Sequence, residues 1–164
     1  MGSGRQHWAE FSVPLAQWIA KQDYHLLTGG GTGVMAAASK AFSQVENRTG
    51  LCIGIVPTKL NDEKQFIPCD GYPNSWVELP IISPLATFEG GNQISRNHIC
   101  ILSSDIVVAL PGSKGTKNEV DLAILLDKPI ILFGFKKEFT DFPPTVERTS
   151  SISRVQDFIL TYSQ

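Results

Sequence analysis

No run of this 164-residue chain is apolar for long enough to span a bilayer, and no charged-then-apolar leader pattern opens it. Membrane insertion is therefore not expected, and a cytoplasmic setting is. An excess of one charge is equally lacking. Fourteen Lys and Arg against sixteen Asp and Glu leave a net charge of −2, too little to draw the protein to nucleic acid or anionic lipid. Cysteine is scarce: Cys52, Cys69 and Cys100 are odd in number and have no close paired spacing, which argues against a disulfide framework and against zinc or redox motifs. Cys52 and Cys100 stand in apolar runs and read as buried thiols. Metal-ligand clusters, a Ser/His/Asp order and internal repeats are missing too, so no metal site is expected. At 42% hydrophobic residues, the chain suits one compact domain over 1–164 with a real core, and its expected partner is an anionic small molecule.

The apolar pattern alternates between two periods. Trp8, Phe11, Leu15, Trp18 and Ile19 recur at helical spacing, which predicts a helix over 8–21. Pro14 implies that this helix either begins near Ser12 or kinks. Strands are predicted at His25–Thr28, Leu51–Val56, Trp76–Ile82, Ile106–Leu110 and Pro129–Phe133. Helices are predicted at Val34–Phe42, Asn92–Ser103, Lys117–Leu126 and around Val155–Tyr162. The helix from Asn92 follows a loop with Gly90 and Gly91 and would turn Ile94, Ile99 and Leu102 toward the sheet. The polar stretch from Thr58 to Ser75 reads as a surface excursion. Strands alternating with helices predict a doubly wound α/β fold, a parallel sheet with helices on both faces.

Two strand–glycine–helix junctions carry the chemistry. Gly29-Gly30-Gly31-Thr32-Gly33 follows the strand ending at Thr28, and Pro111-Gly112-Ser113-Lys114-Gly115-Thr116 follows the strand ending at Leu110. Glycines let the backbone approach a ligand, and the free N–H groups of a helix start favour an anion, with Thr32 and Thr116 as hydroxyl donors and Thr116 as a possible helix cap. Glu119 would fall in the first turn of the second helix. There it could bond a sugar or heterocycle, assist bond cleavage, or serve only as a helix-start charge. Neither loop matches G-x-G-x-x-G or a Walker loop, which disfavours an ordinary dinucleotide enzyme or P-loop ATPase. Arg96, in the helix before the second junction's strand, could clamp a phosphate, hold Glu119, or lie on the surface. His98 and His25 read as structural, and Lys114 and Lys117 as solvated. Trp76 reads as edge packing or part of a lid.

With these residues assembled, the chain resembles the superfamily joining the LOG-type phosphoribohydrolases, often labelled lysine decarboxylases, to the molybdenum cofactor carrier proteins. The resemblance rests on Gly29 to Met35, on the strand Ile53-Gly54-Ile55-Val56-Pro57, on Arg96, and on Pro111 to Glu119 as a variant of Pro-Gly-Gly-x-Gly-Thr-x-x-Glu. Ser113 replaces the second glycine of the hydrolase signature, and Asn97 stands where those hydrolases usually have lysine. Arg96-Asn97 with Leu102-Ser103-Ser104, Glu119-Val120 and Lys128-Pro129 looks closer to the carriers. The resemblance implies a Rossmann-like fold and a homodimer or homotetramer. Its ligand is either the molybdenum cofactor or molybdopterin, carried or stored, or a nucleoside monophosphate. The binding residues it implies are Gly30, Gly31, Thr32, Gly33, Met35, Arg96, Gly112, Ser113, Lys114, Gly115, Thr116 and Glu119. In a phosphoribohydrolase, Glu119 and Arg96 would be catalytic. Superfamily members begin with a strand running into a glycine turn, whereas Met1-Gly2-Ser3-Gly4 resembles that turn alone, so the first strand is expected to be missing or truncated.

Overall fold

The computed structural model describes residues 1–85 and 94–163. The expected Gly90-Gly91 loop and the expected helix start at Asn92 lie outside them. The fold is α/β and Rossmann-like. In chain order it has α1 (Ala9–Lys21), β1 (Leu26–Thr28), α2 (Val34–Ser43), β2 (Cys52–Leu60), β3 (Phe66–Pro68) and β4 (Leu79–Ser83). α3 (Arg96–Leu102), β5 (Val107–Ala109), α4 (Lys114–Leu125), β6 (Ile130–Phe133), β7 (Glu147–Thr149) and α5 (Ile152–Tyr162) follow.

The strands form two ladders rather than the one sheet expected. In the first, β2 lies between β1 and β4, parallel to both, with Leu26 opposite Cys52 and Ile53 opposite Leu79. In the second, β6 lies between β5 and β7, again parallel, with Val108 opposite Ile131 and Leu132 opposite Arg148. Among the described residues, no ladder bond joins β1 to β5.

Alternation along β6 sorts the helices onto two faces. Ile131 and Phe133 pack with Phe11 and Leu15 of α1 and with Val155, Phe158 and Ile159 of α5. Leu132 points the other way, into a cluster with Val120 of α4 and with Phe139, Phe142 and Val146. A further cluster of Ala16, Ala20, Ala41, Phe42 and Cys52 seals α1 and α2 over β2, where small residues let the helices approach. Burial of this apolar surface, at roughly 25 cal/mol per Å², is the main stabilising term.

Several sequence expectations shift. Pro14 sits inside a helix that starts at Ala9, after Trp8 in the left-handed region (φ 45°). The polar stretch after Pro57 is not all excursion. β2 continues to Leu60 and pairs antiparallel with β3, Thr58 lying opposite Pro68. The partner of β2 changes at Pro57, whose residue lacks an N–H for a continuous ladder. The helix expected over 92–103 begins at Arg96, capped by Ser95. This phase buries Cys100 and Ile101, while Ile94 (71% exposed) and Leu102 (57%) face outward, not onto the sheet. No helix among the described residues is long and apolar enough to cross a membrane.

Candidate functional site

The carboxyl ends of β1 and β5 deliver both glycine loops to one cavity of about 850 Å³. Its walls bring together Gly29, Met35, Arg96, Ser113, Gly115, Thr116 and Glu119. Gly30, Gly31, Thr32, Gly33, Gly112 and Lys114 do not line it. They shape the loops behind the wall or face solvent.

The first loop is tied down by the protein itself. The Gly30 N–H donates to Thr28 Oγ1 (3.1 Å), Asn74 N–H to the Gly30 carbonyl (2.7 Å), and Asn74 Nδ2 to the Gly31 carbonyl (2.9 Å). The Thr32 hydroxyl, expected to face a ligand, donates to the Gly4 carbonyl (2.6 Å), and the Val34 N–H at the start of α2 donates to Ser3 O (2.8 Å). This loop positions other groups more than it offers donors. Gly29 shows how: a Cβ there would collide with the Arg96 guanidinium, so only glycine lets the arginine lie against the loop.

The second loop leads into the open N-terminus of α4. Ser113 is the N-cap of α4, which begins at Lys114, so Thr116 is not the cap. It is buried in the helix's first turn with its hydroxyl against Gly112, where a Cβ would collide with it. First-turn N–H groups have no partner within a helix, and those of Lys114, Gly115 and Thr116 meet a positive dipole end. Nothing crowds the Gly115 Cα, which leaves room for a ligand. Lys114 is exposed, and Lys117 pairs with Asp121 at 3.5 Å.

Arg96 opens α3 and is only 7% exposed. Its Nη1 donates a long bond to the Ile55 carbonyl (3.4 Å), its guanidinium lies 5.5 Å from the Tyr72 ring centroid, and its Nε is buried without a partner. No carboxylate among the described residues forms a salt bridge with it, so it does not hold Glu119 by direct contact. A buried cation without an anion is costly, and it marks a place where an anion fits.

Glu119 lies in the second turn of α4, one turn later than expected. Burial pushes its carboxyl up from the ordinary range, against the pull of the Met1 ammonium and of Arg96. Nearby, burial raises the Cys100 thiol to about 11, with Arg96 lowering it and Glu119 raising it. That thiol is not a ready nucleophile.

Sequence reasoning missed Tyr72, whose ring packs on Gly31 beside the Met35 methyl and over Arg96. Its polar, proline-rich neighbourhood gave no periodic signal. It also missed the bond from Asn97 Nδ2 to Asn118 Oδ1 (3.0 Å), which ties α3 to α4. His98 accepts the Ser95 N–H at Nδ1 (3.1 Å) and His25 Nδ1 accepts the Leu51 N–H (2.9 Å), the structural roles expected of both. Trp76 packs under Lys40, whose Nζ lies 5.5 Å from the ring centroid.

The family described as SLOG cluster4 matches residues 1–159. No match is found among curated proteins. Among solved structures, the chain is similar to the molybdenum cofactor binding protein from the phototrophic bacterium Rippkaea orientalis. The two are 30% identical over 94% of this chain and 87% of that one, with a TM-score of 0.72. It is also similar to the molybdenum cofactor carrier protein of Chlamydomonas reinhardtii, at 27% identity over 98% of this chain and 95% of that one, with a TM-score of 0.68. A structure of the protein TM1055 superposes with a TM-score of 0.75 over 98% of this chain and 96% of that one, and its 18% identity bears on the fold alone.

Proposed function

The chain belongs to the SLOG cluster4 family, and from that premise we propose that it binds a phosphate-bearing heterocycle as a molybdenum cofactor carrier or storage protein. The observation that carries this reading is Arg96, a buried guanidinium with an unpaired Nε, lining the same cavity as the open N-terminus of α4. The arginine and the N–H groups of Gly115 and Thr116 would hold the phosphate, from two sides of the cavity. Met35 and Tyr72 offer apolar surface beside the first loop for the rest of the molecule. Carriage needs grip and shelter without chemistry on the cargo. A carboxyl at Glu119 kept toward its neutral form agrees with that, because it avoids repelling an anion. The names of the Rippkaea and Chlamydomonas proteins support the choice of cargo.

Mass spectrometry of ligand retained through gentle purification tests the proposal. A bound pterin supports it, and molybdopterin binding that survives replacement of both Arg96 and Gly115 refutes it.

A second reading is favoured by one observation, that Glu119 and Arg96 line one cavity. An ionised Glu119 could then stabilise an oxocarbenium or orient water while the loops hold a nucleoside 5′-monophosphate, as in a phosphoribohydrolase. Release of free base by the purified protein, abolished in Glu119→Gln, would establish it.

A further inference from the structure

Between β3 and β4 the chain runs outside helix and strand from Cys69 to Glu78, yet it is bonded to three separate elements. The Cys69 N–H donates to the Pro57 carbonyl of β2 (3.0 Å), Asn74 ties into the first glycine loop, and the Ser43 hydroxyl of α2 donates to the Trp76 carbonyl (3.0 Å). Asn74 is the centre of this strap. Besides donating to the Gly30 and Gly31 carbonyls, it accepts the Trp76 N–H at Oδ1 (3.1 Å) and the Val77 N–H at its own carbonyl (3.2 Å). An amide supplies a donor and an acceptor in one short side chain, which neither a carboxylate nor a hydrocarbon does. Asn74 does not itself line the cavity, so any effect it has on a ligand passes through another residue.

What the strap carries is Tyr72. Its ring is pressed so closely on the first loop that a Cβ on Gly31 would lie 2.7 Å from it, and the Arg96 guanidinium lies 5.5 Å from its centroid. The guanidinium is engaged at one end as well. Nη1 abuts Gly29, where a Cβ would stand 1.7 Å from it, and donates to the Ile55 carbonyl. Among the described residues, Arg96 donates to an oxygen only through Nη1, and Nε has no partner. The Nε–H and one Nη2–H point the same way from the planar group, and together they form the side-on fork that grips two oxygens of a phosphate.

We infer that Asn74 is a positioning residue of the site: its bonds to the first glycine loop hold the Tyr72 ring beside Arg96, and the arginine, pinned at Nη1, keeps its Nε–Nη2 edge as the fork for a phosphate. This deepens the proposed function and rests on its reading of the cavity as a phosphate site. It assigns the grip to one edge of one side chain. It also makes the direction of that edge depend on a residue 43 positions from the loop it is bonded to.

Phenylglyoxal labelling of arginines, read residue by residue by mass spectrometry, tests the positioning without any ligand. The full chain is compared with Asn74→Ala, which removes the side-chain bonds, and with Asn74→Asp, which keeps the acceptor for Trp76 but sets an oxygen against the Gly31 carbonyl. Labelling of Arg96 is expected to rise roughly fivefold or more in both. Arg148, bonded to the Phe142 and Pro143 carbonyls in the other ladder, should not change, which separates release of one arginine from general loosening. Should both variants fail to fold, Tyr72→Leu removes the ring while leaving Asn74 in place, and the same rise is expected. Molybdopterin affinity of Asn74→Ala should fall roughly tenfold or more. Unchanged labelling of Arg96 overturns the inference, and so does affinity that survives when that labelling rises. A joint rise at Arg96 and Arg148 overturns it too, because Asn74 would then be a structural residue only. If the wild type binds no molybdopterin while Arg96 alone is released in the variants, the positioning stands and the proposed cargo fails.

Discussion

Arg96→Met should move stability and affinity in opposite directions. In the free protein the guanidinium is buried, holds one long bond to Ile55 and leaves Nε unpaired, so its desolvation is poorly compensated. Methionine keeps much of the length and fits beside Tyr72 and Cys100 without a charge. Replacing buried ionic groups by apolar ones of similar volume is often neutral or stabilising by about 1–4 kcal/mol. The present case belongs at the low end, about 0–1 kcal/mol, because stacking on Tyr72 and attraction to Glu119 are lost as well. Hydrogen bonds to a charged group contribute about 1.5–3 kcal/mol, so losing one or two should weaken binding of a phosphate ligand by roughly ten- to a hundred-fold or more. Urea denaturation with and without ligand measures both effects. The unliganded midpoint should hold or rise, and the ligand-induced rise of the wild type should shrink toward zero. A variant destabilised by more than about 2 kcal/mol with affinity intact would refute the reasoning and make Arg96 a structural cation.

Gly29→Ala should push the Arg96 guanidinium off the first loop at little cost in stability, because the colliding atoms are the far end of a flexible side chain, while weakening binding of a phosphate ligand, and calorimetry of the variant with and without ligand checks this. For Glu119, a raised folded-state value means the protonated form is favoured in the fold. Stability is therefore greatest below the ordinary carboxylate range and falls as pH rises through the folded value. Urea midpoints from pH 4 to 8 should show that fall in the wild type and not in Glu119→Gln. Glu78 runs the opposite way: its bond to Arg48 lowers its carboxyl, so its contribution is present above the ordinary range and lost as pH falls, and Glu78→Gln should flatten the acid limb. Alkylation at pH 8 followed by mass spectrometry should label Cys69 first and leave Cys52 and Cys100 unmodified until unfolding, because both are buried and burial raises both thiols.

The parts legible in the sequence are those where one local signal sufficed. Ile130 to Phe133 is an uninterrupted apolar run, and both glycine loops sit between an apolar run and a helical one, which puts each at a strand's carboxyl end, whereas their meeting at one cavity is seen only in the structure. What escaped depended on register or on distant partners. Trp8 begins α1 from a left-handed conformation that no residue pattern announces. α3 starts four residues later than expected, at Arg96, and it buries Cys100 and Ile101 while Ile94 and Leu102 lie outward. β3 is a three-residue run, Phe66-Ile67-Pro68, inside a polar stretch, and it becomes a strand only because β2 outlasts its first partner. Tyr72 reaches the site because Asn74, two residues on, is bonded to the Gly30 and Gly31 carbonyls, a tie between segments more than forty residues apart.

The alternation along β6 also sets where the chain can tolerate a change of length. Ile131 and Phe133 serve one helical layer and Leu132 the other, so adding or deleting one residue within Ile130–Phe133 would exchange the two layers' anchors at once. The β2–β3 hairpin has no such constraint. Its tip closes on itself through Asn61 and Gln65, with Lys64 in the left-handed region and exposed residues around it. Insertions, tags and reporter groups belong at that tip, and natural length variation should collect there while β6 keeps its length.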